Sequence, residues 1–312
     1  MKRIAKRTGW LILILFVVLN IIVAVQAYKF THFKIGGTRK ERIHLTFAKK
    51  LQLLFTGVDN PRPVNTVLPA HPYETVIINS NVKIECWSIR TLNQPSKGSI
   101  ILFHGYTSNK SAMLDRAEVF LQNGYDCLLV DFMGSGGSGG DQTTIGYKEA
   151  VEVKDCYEYL QKTGVHNIYF YGSSMGAVAI MKAIKDYNIQ PRAIIIECPF
   201  GTMYETIEAR FRMLHIPPVP MAGMLLFWGS VENGFWGFGH RPVDDAKAIH
   251  CPVLMQYGEK DDRVTPKETD EIYNYISGSK QLVTYPFAGH DNYLELCKED
   301  WSRNVIGFLY NH

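Results

Sequence analysis

The chain has no Cys-x-x-Cys pair, and no two of its ten histidines stand at metal-ligand spacing. That argues against a zinc site. Charge imbalance is also missing. Lys and Arg total 33 against 30 Asp and Glu, a net +3, with no basic run interleaved with aromatics beyond the N-terminal region. Nothing therefore argues for a nucleic-acid partner. There is no internal repeat and no low-complexity segment, which sets aside solenoids and disordered scaffolds. The one glycine-rich run, Gly134-Ser-Gly-Gly-Ser-Gly-Gly140, lacks the lysine of a phosphate-binding loop. It reads as a flexible structural turn, not a nucleotide cradle. No metal and no cofactor is called for.

What remains is a globular composition, 46% hydrophobic and 20% charged over 312 residues, enough for one large domain or two small ones. The first thirty residues stand apart. Lys2, Arg3, Lys6 and Arg7 precede an uncharged run from Thr8 to Tyr28. As a helix it spans about 31 Å, enough for a bilayer. Residues 1–28 are thus expected to be a signal-anchor. A signal peptide ending at Val25-Gln26-Ala27 is the alternative. Basic residues lie on both sides of the span, so the positive-inside rule does not decide orientation. An N-terminal first span usually keeps its N-terminus in the cytosol, which would place the globular domain outside it as a single-pass membrane protein. Six scattered cysteines cannot be paired from spacing, and Cys127 and Cys198 read as small buried residues in apolar runs.

Residues 29–73 read as a connector. It carries an amphipathic helix from Arg42 to Phe55, ended by Gly57 and the break at Asn60-Pro-Arg-Pro63. Residues 74–312 form the main domain. A hairpin turning at Asn79-Ser80-Asn81 opens it. Short apolar strands then alternate with helical stretches, at Ser99–His104, Tyr125–Phe132, Asn167–Tyr171, Ala193–Cys198, Val253–Tyr257 and Gln281–Tyr285. The prediction is an α/β fold: a mostly parallel twisted sheet of about eight strands covered by helices on both faces.

In such a sheet the ligand site lies beyond the carboxyl ends of the strands. One of those ends is Tyr169-Phe-Tyr-Gly-Ser-Ser-Met-Gly-Ala177, an aromatic strand meeting Gly-x-Ser-x-Gly and then a helix-forming run. A turn this tight lifts one serine out of the sheet at the cost of backbone strain, and its neighbours must be small. Ser174 is the candidate nucleophile. A serine needs a base, and the base an acid to orient it. Asp261 and His290 both follow later strands, in the order Ser…Asp…His that this architecture uses. Asp262 is the alternative acid. Candidate oxyanion donors are the backbone N–H of Met175, which starts the helix, and of Tyr106, after His104-Gly105. The His104 side chain is expected to brace its loop.

The chain resembles the α/β-hydrolase superfamily, in its serine-hydrolase branch of monoacylglycerol-lipase-like and serine-aminopeptidase-like enzymes. The resemblance rests on His104-Gly105, Asp131-Phe-Met-Gly-Ser-Gly-Gly-Ser138, Gly172-Ser-Ser-Met-Gly176, Cys251 through Asp261, and Ala288-Gly-His290. It covers roughly residues 74–312. It implies that Asp261 is the triad acid and that a cap follows the strand ending at Cys198. Residues 199–242 are that cap, and Phe211, Leu214, Phe227, Trp228 and Trp236 are its candidate substrate-binding residues. The expected reaction is cleavage of a carboxylic ester, of a lipid-like ester or thioester, through an acyl-enzyme on Ser174. A serine peptidase using Glu205, Glu208 or Glu232 for a substrate amine, and a non-catalytic binding protein on the same fold, are the alternatives.

Overall fold

The computed structural model describes residues 2–36, 57 and 59–312. The amphipathic helix expected at 42–55 lies outside the described residues.

Helix α1 (Lys2–Thr31) opens the chain. A short parallel pair, Phe33–Lys34 with Asn60–Pro61, follows it. The main sheet has eight strands: β1 (Tyr73–Asn79), β2 (Lys83–Ile89), β3 (Ser99–Phe103), β4 (Asp126–Val130), β5 (Ile168–Ser173), β6 (Ala193–Glu197), β7 (Val253–Gly258) and β8 (Lys280–Tyr285). Their order across the sheet is β1-β2-β4-β3-β5-β6-β7-β8. β1 and β2 form the expected antiparallel hairpin, β2 joins β4 antiparallel, and the rest is parallel. The reversal in strand order at β3 and β4 opens the crevice at the sheet's carboxyl edge where such folds bind ligands.

The parallel strands are apolar on both faces because both faces are covered. Every residue of β3 and β6 is buried, which is why these runs lack the alternation of a half-exposed strand. One face carries α3 (Glu149–Lys162) and α4 (Met175–Tyr187), packed over Phe103, Phe170 and Ile196. The other carries α2 (Leu114–Gln122) and α8 (Lys298–Asn311), over Leu102, Tyr171 and Ile195. Between β6 and β7 come α5 (Met203–Met213) and α6 (Met221–Asn233). Helix α7 (Pro266–Tyr275) begins in a capping box between Thr265 and Glu268.

The glycine-rich run has a definite structural role. Residues 134–140 wrap the carboxylates of Asp131 and Glu85. A Cβ on Gly136 would sit 1.8 Å from Asp131 Oδ2, and one on Gly137 would sit 2.1 Å from Glu85 Oε1. Gly137 N–H donates to Asp131 Oδ2 at 3.0 Å, and Arg62 donates to the carbonyls of Gly140 and Ser138. The expectation of a flexible turn is corrected in that respect, since side chains from three segments pin it. At the centre lies Lys110, fully buried, with Nζ 2.5 Å from Asp131 Oδ2 and 2.7 Å from Glu85 Oε1. Burial raises the Asp131 carboxyl, but the Lys110 and His104 charges and the hydrogen bonds from Lys110 together outweigh it and hold the group below its ordinary value. All six cysteines are free.

Removing one partner of a buried ion pair leaves an uncompensated charge. Lys110→Met is therefore expected to destabilise the domain by about 3–5 kcal/mol. Thermal or urea unfolding checks this, and an unchanged midpoint would show that the pair carries no such charge.

Candidate active site

Strand β5 turns into α4 through Ser174, whose φ of 51° and ψ of −108° lie outside the favoured regions for a residue with a side chain. The strain is held by close packing on every side. Ser174 N–H donates to the Glu197 carbonyl of β6 at 2.8 Å. A Cβ at Gly176 would stand 2.3 Å from the Phe103 carbonyl oxygen, and one at Gly172 would stand 2.7 Å from the Gly176 carbonyl carbon. Only glycine lets the first turn of α4 press against the end of β3. The helix starts at Met175 with no side chain capping it, so its first amides face the crevice outside the sheet.

The loops after β7 and β8 meet beside this turn, and again glycine permits it. A Cβ at Gly258 would lie 2.3 Å from the Gly289 carbonyl oxygen. Glu259 N–H donates to Tyr285 O at 3.0 Å, and Lys260 N–H donates to Ala288 O at 2.9 Å, tying the two loops together. The result is a continuous hydrogen-bonded chain. Ser174 Oγ lies 2.9 Å from His290 Nε2, and His290 Nδ1 lies 2.7 Å from Asp261 Oδ2. The Asp261 side chain is fully buried. Its other oxygen accepts from the backbone N–H of Arg263 and Val264 at 2.8 and 2.9 Å. That fixes the carboxylate, so that Oδ2 faces the imidazole and the ring proton sits on Nδ1. Asp262 is exposed, with its carboxylate 4.0 Å from Arg263 Nε, which separates it from Asp261 where sequence spacing did not.

Burial by itself would lower the His290 pKa. The Cys198 sulfur, 3.9 Å from Nε2, and the Asp261 carboxylate more than reverse this and raise it above the free-imidazole value. Cys198 is a neighbour that sequence reading treated only as a small buried residue. Its position at the end of β6 placed it at the site's edge, but nothing in its flanking residues singled it out. His104 is buried and braces its loop as expected: its Nδ1 meets Gly105 O at 2.8 Å, and its Nε2 accepts from Phe132 N–H at 3.1 Å. Burial presses its pKa down, consistent with a neutral ring. Gly105 lies close against the serine turn, since a Cβ there would be 3.7 Å from Ser174 Cβ, and Tyr106 is the residue that follows it. Behind β6, Glu197 accepts from Trp301 Nε1–H at 2.7 Å and faces Arg116 at 3.8 Å. Burial raises its pKa.

The five residues of 199–242 expected to bind substrate have the following surroundings. Leu214, Phe227 and Trp236 are 66%, 45% and 61% exposed. Trp228 donates its Nε1–H to Asn20 Oδ1 of α1 at 3.1 Å, so it is an inter-helix contact. Phe211 packs, half-buried, against the main core. Phe227 and Trp236 thus face outward, Trp228 engages α1, and Phe211 packs on the core. A small apolar crevice between α5, α6 and the end of α1 is lined by Met203, Ile207, Leu225, Leu226 and Phe235. Composition could not tell the two faces of α6 apart, because that helix is apolar nearly all round.

Comparison with known proteins matches residues 94–225 to the family described as "Serine aminopeptidase, S33". The chain is similar to the uncharacterized protein YqkD of Bacillus subtilis (strain 168), at 27% identity over 217 residues, 68% of this chain and 71% of that one. It is similar to the protein bem46 of Schizosaccharomyces pombe, at 24% identity over 250 residues, 75% and 78% of the two chains. It is also similar to the lysophosphatidylserine lipase ABHD12 of Xenopus tropicalis, at 23% identity over 192 residues, 60% and 48%. Among solved structures, the esterase Pf2001 of Pyrococcus furiosus superposes with a TM-score of 0.67 at 24% identity, covering 81% of this chain and 99% of that one. The fold is that of the α/β hydrolases, and the resemblance carried by the motifs is borne out.

Gly176 and Gly307 should respond oppositely to alanine. Gly176→Ala pushes a methyl into the Phe103 backbone and is expected to cost about 1–3 kcal/mol. Gly307, inside α8 with nothing within 4 Å of its would-be Cβ, should gain roughly 0.5–1 kcal/mol. Urea midpoints of the two variants check the contrast.

Proposed function

We propose that this α/β hydrolase is a membrane-anchored serine esterase that cleaves carboxylic esters of lipid-like substrates. The observation that carries the reading is the unbroken chain from Ser174 Oγ through both nitrogens of His290 to the buried Asp261 carboxylate. In this reading Ser174 attacks the ester carbonyl carbon while its proton passes to His290 Nε2. Asp261 stabilises the imidazolium through Nδ1–H. The oxyanion that develops is received by the backbone N–H groups of Met175 and Tyr106. Collapse expels the alcohol, which takes the proton from His290, and leaves an acyl group on Ser174. Water then enters along the same path, is deprotonated by His290, and releases the acid.

Relatives named as a lysophosphatidylserine lipase and esterase structures of the same fold support ester chemistry. The peptidase reading draws on the family description and on a distant likeness to the rat acylamino-acid-releasing enzyme, 21% identical over 276 residues. It needs a carboxylate for a substrate amine. Glu205 accepts from the Thr202 hydroxyl that caps its own helix, and burial raises Glu232 to about 7, so both are poor amine anchors. Neither has the geometry that favours the ester reading.

For the membrane, α1 has an apolar segment, Lys6–Thr31, long enough to cross a bilayer by length and composition. A relative described as a membrane protein, YNL320W of Saccharomyces cerevisiae, is 22% identical over 231 residues. The exposed Leu214, Phe227 and Trp236 on the cap would sit against the lipid surface beside it. The domain faces away from the cytoplasm in this proposal, with residues 1–28 retained as anchor and 199–242 acting as cap.

A fluorophosphonate probe should label Ser174, and Ser174→Ala should abolish both labelling and p-nitrophenyl ester hydrolysis. No labelling of the intact protein under any condition sinks the enzyme reading. Asp261→Asn should lower kcat by about 10⁴-fold by losing the correct tautomer. The pH profile has a definite sign. His290 must be unprotonated to act as base, and its pKa is raised. kcat/KM should therefore climb with pH along a limb lying above about 6.5, the ordinary imidazole value. A limb at or below that value would contradict the assignment of His290 as a base held by Asp261.

A further inference from the structure

Helix α6 is apolar nearly all round, yet its outer face is uncovered. A helix of that kind belongs inside a core or a membrane. Phe227 and Val231 are exposed on it, and Leu214, Ile216 and Val219 are exposed on the loop that leads into it. Over residues 213–231 the chain has no Asp, Glu, Lys or Arg.

The register of α6 against α1 ties this face to a level of the anchor. Asn233 Nδ2–H donates to Thr31 Oγ1 at 3.0 Å, and a Cβ on Gly229 would lie 4.0 Å from Ala27 Cβ. Both pairs are 202 positions apart, so the two helices run parallel in matched register. The same offset sets Met221 level with Leu19, where α1 first becomes partly covered, whereas residues 6–18 are all exposed. Charge returns at one level on both helices. Lys29 is the first charged residue of α1 after Arg7, and Glu232, the first of α6, stands level with Phe30.

Length then sets the depth. The bare uncharged part of α1, residues 8–18, is about 16 Å long. A hydrocarbon core is about 30 Å thick. The remaining ~14 Å, roughly nine residues, carries the span to Ala27. Those are the residues that lie beside the first turns of α6, so both sit at one depth.

The loop before α6 also suits a medium without hydrogen-bonding solvent. Pro217, Pro218 and Pro220 have no N–H to leave unpaired. The N–H groups of Leu214 and Ile216 donate to Phe211 O, and that of His215 donates to Arg212 O. The Pro218 and Pro220 carbonyls accept from the N–H of Ala222 and Met224. Arg212, on the last turn of α5, is the nearest charge in sequence, and its long stem lets the guanidinium reach the headgroups.

We propose that residues 214–229, the loop and the first turns of α6, are immersed in the hydrocarbon of the leaflet nearest the domain. Lipid acyl chains then cover the exposed apolar side chains. The domain is held by two helices in fixed register, which sets its orientation on the membrane. The proposal rests on the membrane span of α1 in the reading above and is independent of the ester chemistry.

The test places a nitroxide on the full chain in phosphatidylcholine nanodiscs and measures its collisions with oxygen and with a water-soluble nickel chelate. Cys251→Ser and Cys297→Ser remove the two thiols that are not buried. Labels go on Val219→Cys, Val231→Cys, Phe16→Cys in the bare part of α1, and Lys162→Cys. Lys162 ends α3 with its side chain 77% exposed, at the amino edge of the sheet. Oxygen concentrates in hydrocarbon and the chelate is excluded from it. The oxygen-to-nickel ratio at Val219 should therefore exceed that at Lys162 by roughly tenfold, with Val231, level with Lys29, between them. A label on Phe227→Cys repeats the measurement if Val219→Cys does not fold. A water-like ratio at Val219 with Phe16 in lipid overturns the proposal and leaves the anchor standing. Low access of both reagents to Val219 means that protein, a second copy included, covers the face, and this overturns it too. Water-like ratios at Phe16 and Val219 together remove the anchor reading along with the proposal.

Discussion

The structure depends on one tight contact, the first turn of α4 against the carboxyl end of β3. Gly176 allows the helix to start where the Phe103 and His104 carbonyls would otherwise collide with a side chain. That contact holds Ser174 at φ 51°, and the fold as a whole sustains the strain through β6, whose Glu197 carbonyl receives the serine amide. Everything chemical in the site is measured from this point. Gly105 packs against it, the loops after β7 and β8 close beside it, and the helix it starts lies across the buried middle of the sheet. A strained turn at a sheet edge persists only when its surroundings over-determine it, and here backbone from three strands does so.

A second theme is the use of buried charge to hold loops. Lys110 with Asp131 and Glu85 organises the glycine-rich turn, and Asp261 is locked by two backbone amides before it meets His290. In both cases a carboxylate in a low-dielectric setting has its oxygens assigned to specific donors, which converts an electrostatic liability into a geometric constraint. The proposed base benefits directly: a fixed Asp261 fixes the imidazole tautomer, and a fixed imidazole offers Nε2 to the serine.

Much of the fold was legible because its signals are local. Apolar runs of five or six residues such as Ile168–Ser173 and Ala193–Glu197 are strands whose two faces are both covered, and helices of ordinary length separate them. The hairpin at Asn79 to Val82 followed from alternation and turn residues. The geometry around Ser174 was legible for a different reason. A glycine–serine–glycine spacing at a strand-to-helix junction has few backbone solutions, and Asp261 and His290 each stand directly after a strand. The segment 199–242 was not legible at residue level. Helix α6 is apolar nearly all round, so sequence could not separate Leu225, which faces the crevice, from Phe227, which faces out.

The sequence by itself determined the alternation of strands and helices, the strained serine turn, the order of serine, aspartate and histidine, and an N-terminal helix apolar enough to span a bilayer. These follow from backbone sterics and side-chain periodicity, which act over a few residues. Only the tertiary structure decided that Asp261 and not Asp262 meets His290, that Cys198 sits 3.9 Å from the imidazole, and that Ala27 and Phe30 line a crevice against α5 and α6. Each is a contact between residues 29 to about 200 positions apart. Which partner a side chain meets across that distance depends on how helices and loops pack, and packing has no periodicity along the chain from which it can be read.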